Sequence, residues 1–493
     1  MKKNIFKAAL VSLLAMPALT GCEMDQFPTD SIPNEQSWTS LQDAANFNVG
    51  IYAYLRSLAP LSWDESDILV DYFQPGQGYG NRNGQIYTWQ FTSTEDAMVS
   101  SWSTPYSAIS NCNNFLNNCD IITLSSASDS ASMQKYKGEA YFVRAFAYYQ
   151  LAIRFCKDYE PATADTDLGL PLVTTVDING KPARSTMQAT WDFIKSDADQ
   201  AAALITNQDP SGTDVTLQTV NALRARIALW TEDYAAAVSY AKSIIDDSNF
   251  ALATDSATYS EVWLHDTGAE IIWKPVNTQD ERNSWGNWQY YNNLMSAYSP
   301  DWIPAKSTYD MYDEGDYRKS IYFKECDVIE NNSTASGIML FNKYPGNPDL
   351  RKSSDSEYTY YNAPKTFRLA EQYLIAAEAS YRLGNTADAQ TYLNALRSAR
   401  GESATTATGD NLFTAIKTEW KKEFIGEGQR LYGLKRWHDG FTRNNGMQNG
   451  SIIMSSNQER NIALSVETSN QRFVWEIPNN DLTTNKNLEP NWK

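Results

Sequence analysis

The chain has 493 residues, of which 42% are hydrophobic and 20% are charged, so it has the composition of a globular protein and enough length for a large core. Its formal net charge of −18 repels phosphate backbones, which argues against nucleic acid as a partner. Aromatic residues make up an unusual 13% of the chain. Many of them lie outside the predicted helices.

The first 22 residues are typical of an export signal. Three lysines precede an apolar stretch that is too short to span a bilayer. Small residues then lead directly to Cys22, and this arrangement resembles the lipobox of bacterial lipoproteins, in which the cysteine is acylated after cleavage. We therefore predict a signal peptide over residues 1–21 and a lipidated tether over residues 22–37.

The remainder of the chain is predicted to be one water-soluble domain over residues 38–493. No segment after the leader reaches 18 uninterrupted apolar residues. Four further cysteines without a CxxC spacing do not form a disulfide framework, so buried thiols are expected. The domain divides into an N-terminal half, about 38–250, and a C-terminal half, about 251–493.

Helical patterns dominate both halves. From Lys135, "KYKGEAYFVRAFAYYQLAIRF" places apolar residues three or four apart, and residues 186–205 repeat that period with Thr186 as a predicted N-cap. Segments 223–245 and 370–397 carry small residues at offsets that let two antiparallel helices pack closely, as in tetratricopeptide pairs. The predicted fold is mainly α, with tetratricopeptide-like helix pairs and long loop insertions.

Two insertions, residues 60–94 and 251–361, have a different composition. They are rich in Gly, Pro, Asn and aromatic residues and show little helical period. Loops of this length inside a compact domain are usually functional or disordered, and their aromatic content argues against disorder. The segment "RNSWGNWQYYNN" (282–293) combines four aromatic residues with four asparagines and has no aliphatic residue.

A set of motifs follows the lipobox at Cys22 in a fixed order. They are "GEAYFVRAFAYYQL" (138–151), "EIIW" (270–273), "DMYDEGDYRKSIYF" (310–323), "FRLAEQYLIAAEA" (367–379), "EFIGEGQRLYGLKRW" (423–437) and "WEIPNNDLTTNKNL" (475–488). Together these motifs resemble the SusD/RagB family of outer-membrane nutrient-binding lipoproteins from Bacteroidetes. Tyr432-Gly433 departs from that family's usual aspartate, and Asp481 lies near its usual terminal glutamate.

The resemblance implies a SusD-like scaffold on the outer-membrane surface. Such a protein acts as the lid of a SusC-like, TonB-dependent transporter. It captures an oligomeric nutrient and delivers it without catalysing a reaction. Charged residues at helix junctions, as in these motifs, more often form buried ion pairs between helices than contacts to a ligand. We expect that structural role for Arg368, Glu371, Glu378, Glu427 and Arg430.

The sequence offers little catalytic chemistry. It has two histidines and lacks HExxH, G-x-S-x-G and GxxxxGK[ST] motifs. No catalytic residue, metal site or cofactor is predicted, and His438 is expected to be a packed residue at a helix end. A surface glycoside hydrolase is a remote alternative, because a pair of carboxylates at the right separation suffices for that reaction.

The aromatic loops are the predicted ligand surface, because sugar rings present an apolar C–H face edged by hydroxyls. Oligosaccharide is the favoured ligand. Oligopeptide is the alternative, because the "IGEGQR" stretch and the chain ending favour the RagB side of the family. The same aromatics could instead cover the core or contact a partner. The candidate ligand-binding residues are Trp285, Trp288, Tyr290, Tyr291, Arg82, Trp89, Asn287 and Tyr79.

Overall fold

The computed structural model describes residues 37–207, 212–284, 290–443, 447–454 and 465–492. The described chain is mainly helical, as the sequence predicts. The predicted leader and Cys22 lie outside the described residues. The helices are α1 (Leu41–Leu58), α2 (Trp63–Leu69), α3 (Gly84–Tyr87), α4 (Asp96–Asn118), α5 (Ala127–Phe155), α6 (Met187–Leu204), α7 (Leu217–Trp230), α8 (Tyr234–Ile245), α9 (Ser256–Leu264), α10 (Lys306–Asp310), α11 (Arg318–Tyr322), α12 (Leu369–Arg382), α13 (Thr386–Ala399), α14 (Gly409–Glu423), α15 (Arg430–Trp437) and α16 (Asn479–Thr484).

Several helices begin at a side chain that accepts a hydrogen bond from the first turn. Thr186 caps α6 by accepting from the backbone N–H of Ala189 at 3.1 Å, which confirms the predicted N-cap. Ser40 and Asp43 form a reciprocal capping box at α1. Such caps satisfy backbone donors that have no partner within the helix.

The predicted helix pairs are present and pack against one another. Helices α7 and α8 are joined by a turn that ends at Asp233, the N-cap of α8. Helices α12 and α13 are joined through Gly384, whose φ of +80° favours glycine. Although the two pairs are far apart in sequence, α12 packs directly on α8. Fully buried alanines allow the close approach, among them Ala225, Ala237, Ala241, Ala370, Ala376 and Ala389.

Helix α5 is the central element of the N-terminal half and packs against α1, α4 and α6. Nearly all of its residues from Gly138 to Phe155 are buried. A Cβ on Gly138 would lie 2.7 Å from Cγ1 of Ile205, so glycine is required for the close approach at this point. The four described cysteines are buried and free, which confirms the prediction of buried thiols.

Short strands form in the insertions and link them to the helices. β1 pairs with β5 and β2 with β8, each antiparallel, while β3, β4, β6 and β7 form one mixed sheet in that order. Within the described ranges, no helix is long and apolar enough to cross a membrane. The strands are β1 (Phe73–Pro75), β2 (Ile271–Trp273), β3 (Tyr291–Asn292), β4 (Ala297–Tyr298), β5 (Trp302–Pro304), β6 (Phe323–Glu330), β7 (Ser333–Phe341), β8 (Phe367–Arg368), β9 (Phe441–Thr442) and β10 (Ser465–Val466).

A network of buried charges ties the C-terminal helices to the insertion between the helix pairs. Glu423 at the end of α14 accepts hydrogen bonds from Arg318 at 2.9 Å, from Arg368 at 2.6 Å and from Arg400 at 3.0 Å. Arg368 also donates to Glu427 at 2.6 Å. All five side chains are at most 3% exposed. The predicted structural role of Arg368 and Glu427 is confirmed.

The remaining motif charges have the same role. Glu371 pairs with Arg226 of α7 at 2.5 and 2.8 Å. Glu378 accepts from Arg436 and from the indole Nε1 of Trp437, both at 2.8 Å. Arg430, the last of the five charges predicted to be structural, donates to Asp71 at 2.8 Å. Each pair joins two elements that are distant in sequence.

Candidate functional site

The two aromatic-rich insertions meet where β1 pairs with β5, so that Pro75 lies opposite Trp302. This pairing brings the loop after β1 against the 290–301 segment. There the Arg82 guanidinium donates from Nε and Nη2 to the carboxylate of Asp301. The arginine side chain is still 64% exposed, so the ion pair lies at the surface with its outer edge open to solvent.

The glycines of the first insertion allow that loop to lie directly on the end of β6. The Gly78 N–H donates to Glu330, and Ser299 donates to the same carboxylate at 3.1 Å. A Cβ on Gly78 would lie 2.5 Å from the Glu330 carboxylate, and one on Gly76 would lie 2.8 Å from the Pro300 carbonyl oxygen. The glycines at positions 76 and 78 are therefore needed for close backbone contacts.

Burial of Glu330 raises the pKa of its carboxyl to about 7, although the Gly78 and Ser299 hydrogen bonds oppose the shift. An unfolded glutamate titrates near pH ~4.3. Between these values the folded state binds more protons, so the free energy of unfolding falls as the pH rises. Wild-type protein is expected to lose thermal stability between pH 5 and pH 8 relative to Glu330→Gln, which cannot ionise.

The measurement is the melting temperature of both proteins across that range. Glu325→Gln, an exposed glutamate on the same strand, is the matched control and should follow the wild type. Parallel curves for wild type and Glu330→Gln would contradict the assignment.

Three tyrosines pack together close to Asp301 in the fold, with Tyr291 and Tyr358 half-buried and Tyr298 only 9% exposed. The Tyr291 and Tyr358 rings are stacked, with centroids 3.6 Å apart and planes 16° apart. Tyr298 meets Tyr291 edge to face at 4.9 Å. Tyr290, the neighbour of Tyr291, is 57% exposed. We call Tyr291, Tyr298 and Tyr358 the tyrosine cluster.

We call residues 285–289 the tryptophan segment. The described residues on both sides of it lie near the tyrosine cluster. Trp285, Asn287 and Trp288 fall outside the described residues, but both flanks are described. On one side Ser284 forms a bridge with Tyr361, and on the other the Tyr290 carbonyl accepts from Ser299 N–H at 2.7 Å.

The Ser284 side of the tryptophan segment is also held by the side chain of Arg282. The guanidinium of Arg282 lies 3.7 Å from the centre of the Tyr361 ring and binds Asp355 at 2.7 Å. The described residues that flank the tryptophan segment on both sides are therefore held beside the tyrosine cluster.

Two of the predicted site residues are not open to a ligand. Tyr79 is 4% exposed and packs edge to face on Trp302 at 5.6 Å. Trp89 is 3% exposed, donates its indole N–H to the Leu69 carbonyl at 2.7 Å and packs on Phe473 at 4.9 Å. Their prediction as ligand contacts is wrong for this arrangement, because distant core residues cover both rings.

Trp89→Ala is therefore expected to lower the free energy of unfolding by about 3–5 kcal/mol, since it opens a large cavity in the core. Ligand affinity per folded molecule should change little. Denaturant unfolding and a binding titration of the same preparation separate the two effects. A large loss of affinity at unchanged stability would return Trp89 to the site.

The sequence prediction missed several residues that the structure brings to the same face. Two of them come from "EYTYYNAP" (357–364), an aromatic run at the end of the same insertion that could have been singled out by composition. The position of this run opposite residues 290–298 depends on the mixed sheet, the Ser284–Tyr361 bridge and the stacked Tyr291–Tyr358 rings. The missed residues are Tyr298, Asp301, Tyr358 and Tyr361.

Comparison with known proteins identifies the family. Residues 232–492 match the model described as the SusD family. The chain belongs to the SusD family. Residues 30–229 of this SusD-family chain match a second model, described as "Starch-binding associating with outer membrane". The family resemblance seen in the motifs is thus confirmed.

Individual relatives cover almost the whole of this SusD-family chain. SusD-like protein P38 of Formosa agariphila is 25% identical and aligns over 88% of this chain and 91% of its own length. A SusD superfamily protein from Bacteroides thetaiotaomicron has a TM-score of 0.78 at 24% identity, covering 92% of this chain and 100% of that one. Surface glycan-binding protein A from Bacteroides uniformis gives 0.69 at 18% identity, covering 91% and 99%. At these identities the two structures show the fold.

Proposed function

We propose that this chain binds an oligosaccharide on the tyrosine cluster and the adjoining tryptophan segment, and releases it unchanged. The observation that carries the proposal is the stacked Tyr291–Tyr358 pair beside the Arg82–Asp301 ion pair. Flat rings edged by charged and amide groups suit the apolar faces and hydroxyl rims of sugars. The names of two structural relatives, a surface glycan-binding protein and a SusD-like carbohydrate binding protein from Bacteroides vulgatus, support this ligand class.

The cell surface is the proposed location. Acylation at Cys22 would hold the chain on the outer membrane, and the 15 residues from 23 to 37 span at most roughly 50 Å when extended. The description of the matching N-terminal family model, which names association with the outer membrane, supports this placement.

Delivery to a SusC-like, TonB-dependent transporter is the second part of the proposal. The tip of the β3–β4 hairpin exposes two apolar side chains next to the tyrosine cluster, with Leu294 98% and Met295 53% exposed. Exposed apolar groups beside a ligand surface suit contact with a partner protein. Co-purification of the transporter with wild-type chain, and its loss with Leu294→Asp, tests this part.

No reaction is proposed at this site. The three carboxylates described at this site are all engaged, since Asp301 is paired with Arg82, Asp355 is paired with Arg282, and Glu330 is buried against the Gly78 loop. A glycosidase would need one acid free to donate a proton and another free to attack. A reducing-end assay on clean protein tests the point, and release of shortened products would contradict it.

The deciding experiment is calorimetric titration of the mature protein with two pools, mixed oligosaccharides and a protein digest. Heat with sugars alone supports the proposal. Heat with peptides alone supports the alternative of a RagB-like oligopeptide importer component and contradicts the sugar-stacking argument. Binding that saturates and reverses without product formation is the expected result.

A further inference from the structure

A second cluster of polar side chains lies away from the tyrosine cluster, where the loop after α5 meets the end of α15. Asp158 Oδ2 lies 3.2 Å from Nδ1 of His438, and Glu160 Oε1 lies 3.0 Å from its Nε2. The candidate ligand atoms of the three residues all lie within 4.8 Å of one another. No metal site is predicted from the sequence, which offers only two histidines as nitrogen ligands.

The backbone on both sides of this cluster is held by bonds that do not involve it. Lys435 is buried in α15, and its ammonium donates to the carbonyls of Ile153, at 3.0 Å, and Cys156 at the end of α5. The Glu160 carbonyl accepts from two backbone N–H groups of the following turn, at 2.9 and 3.0 Å. The loop and the helix end are therefore fixed against each other before any ligand binds.

The local charges favour a cation. Among the described residues, neither Asp158 nor Glu160 forms an ion pair with a lysine or arginine, although the buried Lys435 ammonium acts on Asp158 electrostatically. The neighbouring Lys157 is paired with Asp167 at 3.0 Å. A divalent ion would supply positive charge to both carboxylates.

We propose that Glu160 and His438 Nε2 bind a divalent transition-metal ion and that Asp158 orients the imidazole by accepting its Nδ1–H. A ligand separation of 3.0 Å suits two donors about 2.0–2.2 Å from one zinc ion. A carboxylate on the second ring nitrogen is the usual arrangement behind a metal-bound histidine. Imidazole with carboxylate suits Zn²⁺, Cu²⁺ or Ni²⁺, whereas Ca²⁺ and Mg²⁺ prefer oxygen ligands alone.

The site leaves coordination positions for other donors. A cavity of about 190 Å³ adjoins it and is lined in part by His438, Asp439, Asn470 and Gln471. Water, or a polar group of a bound molecule, completes the coordination there. A bound ion links the loop after α5 to α15 and stabilises the folded state by mass action.

The test is calorimetric titration of the mature protein with ZnCl₂, supported by the melting temperature with and without the metal. Wild type is expected to bind one ion per chain with a rise in melting temperature. Glu160→Gln removes a ligand and His438→Asn removes the imidazole, and each should weaken binding at least tenfold. Asparagine is chosen because His438 has a φ of +54°, which asparagine tolerates.

The chain provides a matched control in its other histidine. His265 also lies near two carboxylates, 3.3 Å from Asp349 and 3.9 Å from Glu261, and His265→Asn should leave zinc affinity unchanged. Asp158→Asn should lower zinc affinity about tenfold or more without changing the melting temperature of the metal-free protein. Equal affinity for Ca²⁺, or unchanged zinc binding in His438→Asn, would overturn the proposal.

Discussion

Replacing Glu423 with glutamine is expected to lower the free energy of unfolding by about 3–5 kcal/mol, since the change leaves buried arginines without their shared carboxylate. Burial alone raises the pKa of Glu423, but Arg400, Arg368 and Arg318 outweigh it and hold that pKa well below its usual range. The side chain is fully buried, so water cannot replace the lost charge. No other described carboxylate forms ion pairs with all three arginines.

Urea unfolding of the variant measures the loss. Asp246→Asn is the control, because Asp246 pairs with Lys242 one helical turn away at the surface, at 2.5 Å, and such pairs contribute only about 0.3–0.5 kcal/mol. A loss below about 1 kcal/mol for Glu423→Gln would mean that the arginines are stabilised by other acids, such as Glu270 or Glu427.

The double variant Trp285→Ala with Trp288→Ala is expected to abolish oligosaccharide binding, a loss of about a hundredfold or more in affinity. Two stacked rings each contribute about 1.4 kcal/mol or more, and each such step is tenfold. Tyr358→Ala alone should cost about tenfold, because it removes one ring of the stacked pair. Calorimetry with the oligosaccharide pool measures both.

Tyr240→Ala in α8 is the matched control, since it removes a half-buried tyrosine outside the two insertions. Its sugar affinity should equal that of wild type. If the tryptophan double variant no longer binds sugars, the sugar-stacking argument holds. Under the oligopeptide alternative, the same variant should weaken peptide binding only modestly. Unchanged sugar affinity in that variant would move the binding site elsewhere on the protein.

The sequence predicted the helices well because their signals are local. The apolar period of α5, the cap at Thr186 and the turn at Gly384 each lie within a few residues of what they determine. The buried role of Arg368 and Glu427 was also predictable, since charges at helix junctions are seldom free. Their actual partners, such as Glu423 for Arg368 and Lys343 for Glu427, come from other elements and were not predictable.

The proposed ligand surface shows where sequence reasoning fails. Tyr79 and Trp89 occur in the same kind of glycine- and asparagine-rich loop as Tyr290, yet the first two are core residues and the third is exposed. Tyr358 was not singled out, although its ring stacks on Tyr291. Composition identified the two insertions that carry the proposed surface but did not identify which rings face solvent.

The sequence by itself determined the family, the mainly helical scaffold and the prediction of an exported lipoprotein, because each depends on short motifs and local periods. Only the tertiary structure decided which aromatic rings are open and which side chains meet at His438. The exposure of a ring is fixed by residues hundreds of positions away, as Phe473 covers Trp89, and ion pairs such as Arg82–Asp301 form only when distant loops are brought together by strand pairing.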